Sequence, residues 1–272
     1  MKLAIGISTV DKNINGLYDK IKNIPSDIVI IISHQDHQDT VIDNTLTQLS
    51  NVYIFTKNER GLSKSRNTLL EKAITLGVDY LIISDDDVYY KNDGLEILSQ
   101  YLIKEDGYLS HYQLQSCDEK NNLRKKYKAD SYEIKKFDVF KVSSIEMCIN
   151  IHLVNESNIK FDERFGLGSI YAAGEEPIFL SDALSYNHHI RFLPVTVTIH
   201  PLESSGARIY TDEKTLAARG AIFIRCLGNF MGILCVCAFW FKKYILEKKD
   251  IDNKIPKFRA LCILMRGCFK HV

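Results

Sequence analysis

Four short runs near the start of the chain are apolar at nearly every position: Leu3–Thr9 (LAIGIST), Asp27–Ser33 (DIVIIIS), Asn51–Thr56 (NVYIFT) and Asp79–Ser84 (DYLIIS). A strand that is continuously rather than alternately apolar buries both faces, as in a parallel sheet covered by helices. Leu17–Asn23 and Thr40–Leu49 are compatible with helices. Leu62–Thr75 (LSKSRNTLLEKAIT) carries a clearer 3.6-residue period, with Ser63 as its expected cap. The pattern predicts an α/β fold built on a mainly parallel sheet flanked by helices.

From Tyr108 to Val154 the chain is richer in charge and in short alternating segments (HYQLQS, MCINIHLV), which predict mixed or antiparallel strands. The basic connection KNNLRKKYKAD reads as a solvated face. A loop, FDERFGLGS, leads into AAGEEPIFLSDALSYNHH, a helix expected to begin near Glu175. RFLPVTVTIHP is the last strand.

After Thr215 the character changes. The stretch from Ala221 to Phe241 is apolar but for Arg225 and Asn229, and Lys242 and Lys243 close it. A membrane span needs about 20 predominantly apolar residues. This stretch is long enough, yet carries a charge one turn in. A helix packed on the domain, a helix lying in the plane of the cytoplasmic leaflet and a true span all remain open for it. The basic, apolar tail KFRALCILMRGCFKHV favours contact with an anionic membrane. The expected division is residues 1–214 as one domain and 215–272 as a helical, membrane-associated extension.

Composition narrows the classes. The chain is 46% apolar and 25% charged, with a formal net charge of +1, an ordinary globular balance. Such neutrality argues against a nucleic-acid partner, which calls for excess positive charge. The seven cysteines include no CxxC pair and read as reduced thiols. MKLAIGISTV reads as a first strand rather than a signal peptide, so a cytoplasmic location is expected.

The chemistry begins at SDDDVYY, where a buried strand ends in Asp85, Asp86 and Asp87. Three adjacent carboxylates repel one another unless solvated or neutralised. Oxygen ligands of this kind suit Mg²⁺ or Mn²⁺ shared with substrate phosphates. In open α/β sheets ligands collect at the carboxyl ends of strands, which also places Ser8, Thr9, Ser33 and His34 at the site. Arg66 in GLSKSRN is a fork suited to phosphate or a base carbonyl. Glu175 and Glu176 stand at a helix start, either complementing its dipole or supplying a general base. His200, after the last strand, is a structural histidine or a metal ligand.

The ordered set of strand–aspartates, preceded by G-x-S-x-x-R-N and followed by FDERF and GEE, resembles the GT-A fold glycosyltransferases of family 2, over roughly Lys2 to Pro201. The resemblance implies a Rossmann-like GT-A sheet and an inverting transfer of sugar from a nucleotide-diphosphate donor to a saccharide acceptor in the building of bacterial surface polysaccharide; the apolar carboxy-terminal segment would keep the enzyme beside a lipid-linked acceptor. It implies that Asp85 meets the ribose and Asp87 the metal, with Asp86 the alternative if the frame shifts by one. Asp85 and His200 would join Asp87 at Mn²⁺ or Mg²⁺. Arg66 would touch the nucleotide end of the donor, Asn67 would support that loop, and Ser8, Thr9 and Ser33 would lie by the nucleotide. Glu176 would be the base, and Glu175 would hold acceptor or loop. Where the family has an aspartate after its second strand, this chain reads SHQDHQ, so Ser33, His34, Gln35 or Asp36 must serve. The arginine often found after the acidic pair is missing from EEPIFLSDAL. A sugar-nucleotide pyrophosphorylase and a non-catalytic scaffold of the same fold are the alternatives. The first should carry a phosphate loop after strand one, and ISTVDKNINGL lacks it.

Overall fold

A computed structural model describes residues 1–104, 110–200, 208–247 and 252–269. The last strand's Pro201 lies outside the described residues.

The apolar runs form strands as their burial requires. β1 (Leu3–Val10), β2 (Val29–Gln35), β3 (Val52–Lys57) and β4 (Tyr80–Asp85) are followed by β5 (Tyr89–Tyr90), β6 (Ser110–Cys117), β7 (Tyr132–Glu133), β8 (Met147–Asn150) and β9 (His189–Ile199). They make one sheet in the order β3-β2-β1-β4-β8-β6-β9-β5, with β7 also paired to β9. β1 runs parallel to β2 and β4, and β2 to β3. β8 is antiparallel to both β4 and β6, which makes the sheet mixed, as the alternating middle segments predicted. The chain leaves β1 toward β2 and β3, then returns to β1's other side as β4. Ligands bind at such a switch point.

Helices cover both faces. α1 (Tyr18–Ile21) and α2 (Asn44–Thr47) are short; α3 (Leu62–Thr75), α4 (Asn92–Lys104), α5 (Ile151–Ser157) and α6 (Glu175–Ser185) are the main layers. Leu69, Leu70 and Ala73 of α3 join Ile31, Leu81 and Phe179 in one core cluster. Leu95, Leu98 and Leu102 of α4 join Ile5, Ile30 and Ile82 on the other face.

Two local expectations are corrected. The helix expected over Thr40–Leu49 shrinks to α2, because Asp36 folds the preceding residues into a turn, accepting the Thr40 N–H at 2.6 Å and the Gln38 N–H at 3.0 Å. Ser63 does not cap α3. The cap is Gly61, at φ +126°, and Ser63 lies inside the helix, its Oγ donating to the Phe165 carbonyl at 2.5 Å.

The apolar stretch beyond Thr215 is not one helix. α7 (Arg208–Thr211) precedes α8 (Glu213–Leu227); Gly228, at φ +77° and ψ 171°, then breaks the path before α9 (Asn229–Trp240), which continues as a wider π turn over Phe241–Leu246. α8 packs on α6 through Ala218, Ala221 and Ile222 against Phe165 and Ile178. Arg225, the interrupting charge, forks onto Asp182 at 2.8 and 2.7 Å and reaches Asp162 at 3.1 Å. These ties cross the division expected at residues 214 and 215. α10 (Lys257–Phe269) lies so close to α8 that a Cβ at Gly220 would meet the Leu264 carbonyl oxygen at 2.1 Å. Asn229–Leu246 is long and apolar enough to cross a membrane by length and composition, with 17% of that window buried. Phe230, Met231, Leu234, Phe241 and Leu246 are exposed along it.

Candidate active site

Register places the site's floor. Ser33 of β2, Ser8 of β1 and Asp85 of β4 stand in one row across the sheet, at the carboxyl ends of all three strands. α3 is pinned beneath this row, with Ser65 Oγ 2.9 Å from Ser8 Oγ and 3.5 Å from the Ser33 carbonyl.

Arg66, one residue on, is 1% exposed. Its Nη1 lies 2.9 Å from Glu175 Oε1 and 3.5 Å from Glu176 Oε1, and its Nη2 lies 3.2 Å from Asp85 Oδ1. Burial disfavours the guanidinium cation, but Asp85, Glu175 and Glu176 outweigh it and hold the charge firmly. The expectation placed Arg66 against the donor's nucleotide. The structure puts it under the floor, turned toward three acids, because a buried cation needs anions more than a solvated one does.

Asn67 fastens the FDERF loop: its amide nitrogen donates to the Phe161 carbonyl at 3.0 Å, and its oxygen accepts the Phe161 N–H at 2.8 Å. Leu62 N–H donates to the Leu167 carbonyl at 2.8 Å. The loop thereby forms one wall of the site.

The three aspartates diverge. Asp85 is held by Arg66 and by Ser144 Oγ at 3.1 Å. Asp86 turns back, its Oδ2 accepting from Thr9 Oγ1 at 2.7 Å and Asn13 Nδ2 at 3.1 Å. Asp87 points outward, with His200 Nε2 3.1 Å away; that hydrogen bond holds its carboxyl below the usual range despite partial burial.

Two clefts meet at this rim. The first, about 430 Å³, is lined by Ser8, Thr9, Gln35, Arg60, the three aspartates and the Leu167–Gly168 wall. The second, about 560 Å³, is lined by Arg124, Ser144, Gly174, Glu176, Arg219 and Ile222. Asp85, Asp87 and His200 belong to both.

Of the acidic pair, Glu175 is 4% exposed and faces Arg66, whereas Glu176 lines the second cleft. Glu175 Oε2 is buried without a hydrogen-bond partner. Burial and repulsion from Glu175, only partly countered by Arg66, push the Glu176 carboxyl up to about 7. Gly174, at φ +103°, starts this helix where a Cβ would strike Ile222 of α8 at 2.3 Å, so α8 helps set the direction of Glu176.

At the end of β2, Gln35 lines the first cleft and donates to the Gly61 carbonyl at 3.1 Å, while Asp36, the next residue, is committed to its own turn and His34 is buried against Thr56 and the Asp11 carbonyl. Ser33, in the floor row itself, is buried and lines neither cleft. Arg60, Ser144, Arg124 and Arg219 were not foreseen. A capping box at Ser143–Glu146, the S-x-x-E pattern, was the signal available for Ser144. The basic run expected as a solvated face is exposed over most of its length, but Lys125 Nζ lies 2.6 Å from the buried Glu146.

Among the described residues no group of three or more His, Cys, Asp or Glu side chains is arranged to hold a metal. Asp87 and His200 offer one carboxylate and one imidazole side by side. Such a pair fits a dication that completes its shell with substrate phosphates, not one caged by protein alone.

The profile of the family described as Glycosyl transferase family 2 matches residues 9–154. Among solved structures, S. aureus TarS aligns at a TM-score of 0.63 and 13% identity, over 91% of this chain and 44% of that one. S. aureus TarS 1-349 in complex with UDP-GlcNAc aligns at 0.60 and 13% identity, over 100% of this chain and 73% of that one. The same fragment in complex with UDP gives 0.58 and 14%, over 83% and 65%. This chain thus spans less than half the length of the first of these proteins, and at such identity the likeness is one of fold. No match was found among curated protein sequences.

Proposed function

We propose, for a chain that belongs to glycosyl transferase family 2, that the first cleft takes a nucleotide-diphosphate sugar and the second a saccharide acceptor, with transfer across the rim between them. The pyrophosphorylase alternative falls away with that membership. The observation that carries the reading is the shared wall: Asp85, Asp87 and His200 face both clefts, and Glu176 stands in the second. A UDP-sugar is the first donor to try, since the TarS fragment of the same fold is complexed with UDP-GlcNAc.

In this mechanism Ser8, Thr9 and Gln35 line the nucleotide's place, and the Leu167–Gly168 wall bounds one side of it. Arg66 positions without touching the donor, fixing Asp85 and the acidic pair by its fork. Glu176 removes the acceptor hydroxyl's proton as the oxygen attacks the anomeric carbon. A carboxyl poised near 7 is suited to that exchange at neutral pH. Attack opposite the departing diphosphate inverts the anomeric centre. Asp87 and His200 would hold Mn²⁺ or Mg²⁺, with Asp85 beside them. When bound, the ion would offset the charge gathering on the leaving diphosphate.

The exposed apolar side of α9, with Lys242 and Lys243 following, supports peripheral contact with the cytoplasmic face of a membrane that carries a lipid-linked acceptor. Residues 215–272 would then serve both as attachment and, through α8, as part of the acceptor wall.

Hydrolysis of a panel of nucleotide sugars with Mn²⁺ tests the reading. Turnover of at least one donor is expected, abolished in Asp87→Ala; a panel left wholly intact would overturn it.

A further inference from the structure

We propose that Arg124 and Arg219 form an anion-binding subsite in the second cleft, so that the acceptor carries a phosphate or carboxylate close to the hydroxyl that reacts. The inference rests on the reading of that cleft as the acceptor's.

The two arginines arrive from distant parts of the chain. Arg124 follows β6, its N–H donating to the Ser116 carbonyl at 3.0 Å. The residues after it are anchored, Lys125 at 2.6 Å and Tyr127 Oη at 2.7 Å from Glu146, which leaves Arg124 lining the cleft. Arg219 comes from α8, its guanidinium 6.0 Å from the Phe239 ring centre.

Neither has an anion of its own. Arg124 Nε is buried without a hydrogen-bond partner, and neither guanidinium forms an ion pair with a described residue. Burial lowers the Arg219 pKa, with Glu176 opposing that only in part. This is not the habit of the chain: Arg60, Arg66, Arg164 and Arg225 each pair with a carboxylate. The acids of the cleft are already engaged. Asp85 and Glu176 share Arg66, and Asp87 has His200. Two partly buried cations without an ion-pair partner among the described residues cost stability unless something entering supplies the counter-charge. A guanidinium fork matches the paired oxygens of phosphate and carboxylate. A phosphorylated saccharide or lipid carrier and a uronate-type sugar are the two sources of that chemistry.

The test is calorimetric titration of the full chain with glycerol 1-phosphate and with glucuronate, glucose being the neutral control. At least one anion should bind and glucose should not. Arg124→Gln and Arg219→Gln should each weaken the anion about tenfold or more, the loss expected for a charged hydrogen bond. Arg124→Lys and Arg219→Lys keep the cation and should retain most of the binding, which separates lost charge from disturbed packing. Preference for the phosphate assigns a phosphorylated acceptor, and preference for glucuronate a uronic one. If wild type takes up neither anion, or the double Gln variant binds as wild type does, the subsite does not exist. Nucleotide-sugar hydrolysis by the wild type, which needs neither probe, judges the transferase reading separately.

Discussion

Arg66 Nη1 lies 2.9 Å from Glu175 Oε1, a buried ion pair between residues 109 apart in sequence that joins the first half of the sheet to the helix carrying the candidate base. Since Asp85 and Glu176 draw on the same guanidinium, this one side chain offsets three acids. Arg66→Met leaves them uncompensated and should cost about 3–5 kcal/mol, the usual loss on breaking a buried ion pair. Urea denaturation at pH 8 measures it. The loss should shrink at pH 5, where Glu176 keeps its proton; a pH-independent loss would point to packing instead.

Glu176 sets two pH dependences of opposite sign. The native carboxyl sits near 7 against 4.5 when free, so between those values the folded chain binds the proton and the unfolded chain does not. Stability therefore falls as pH rises through that window. Glu176→Gln removes the effect and should stabilise the protein by about 1–3 kcal/mol at pH 8, with little change at pH 4, as thermal melts would show. Transfer by the wild type should climb as pH passes about 7 and then level off. Glu176→Gln should lose about a hundredfold or more in transfer while still binding donor. Wild-type transfer rates in that variant would move the base elsewhere.

Asp87 and His200 are expected to act together on any dication. Titrating UDP with Mn²⁺ into Asp87→Asn or His200→Ala should show affinity weakened at least about tenfold. Unaltered uptake in both would remove the pair from the metal site.

Gly220 tests the packing of the last helices. Gly220→Ala puts a methyl 2.1 Å from the Leu264 carbonyl oxygen and should destabilise by about 1–3 kcal/mol through forced separation of α8 and α10. Gly16→Ala, whose methyl meets nothing within 4 Å, should stay within about 0.5 kcal/mol. Equal effects would mean that the helices yield freely.

The outward face of α9 makes its own prediction. Phe230→Ser with Leu234→Ser removes two exposed apolar side chains, and should reduce co-sedimentation with anionic vesicles without altering the far-ultraviolet spectrum. Vesicle recovery equal to wild type would leave that face without a membrane role.

The parallel half of the sheet was legible because β1, β2 and β4 are buried on both sides and so are apolar at nearly every position. The helix at Glu175 and the acidic run Asp85–Asp87 at the end of β4 were legible for a related reason, since acids at the end of an apolar strand or the start of a helix stand out locally. What each acid faces was not. Arg66 looks like any helix arginine until the fold brings Glu175 against it. Arg124 was hidden in a basic run whose neighbours find Glu146 only in three dimensions. Arg225 read as an interruption because its partners, Asp162 and Asp182, are remote in sequence. Gly228 gave no periodic signal, yet its backbone turns one apolar stretch into two helices.

α8 is a strut clamped at Arg225 and ending where α9 begins. α9 turns back along α8 at Gly228: a Cβ at Gly232 would meet Ile224 Cα at 2.8 Å, and the Phe239 ring centre lies 6.0 Å from the Arg219 guanidinium. If α9 rested on a membrane, the mouth beside Glu176 would stand one helix layer, about 8–10 Å, from that plane. The protein would then measure its partners by reach as well as by shape: a substrate tethered in that plane by too short a stalk could not bring its hydroxyl to the rim.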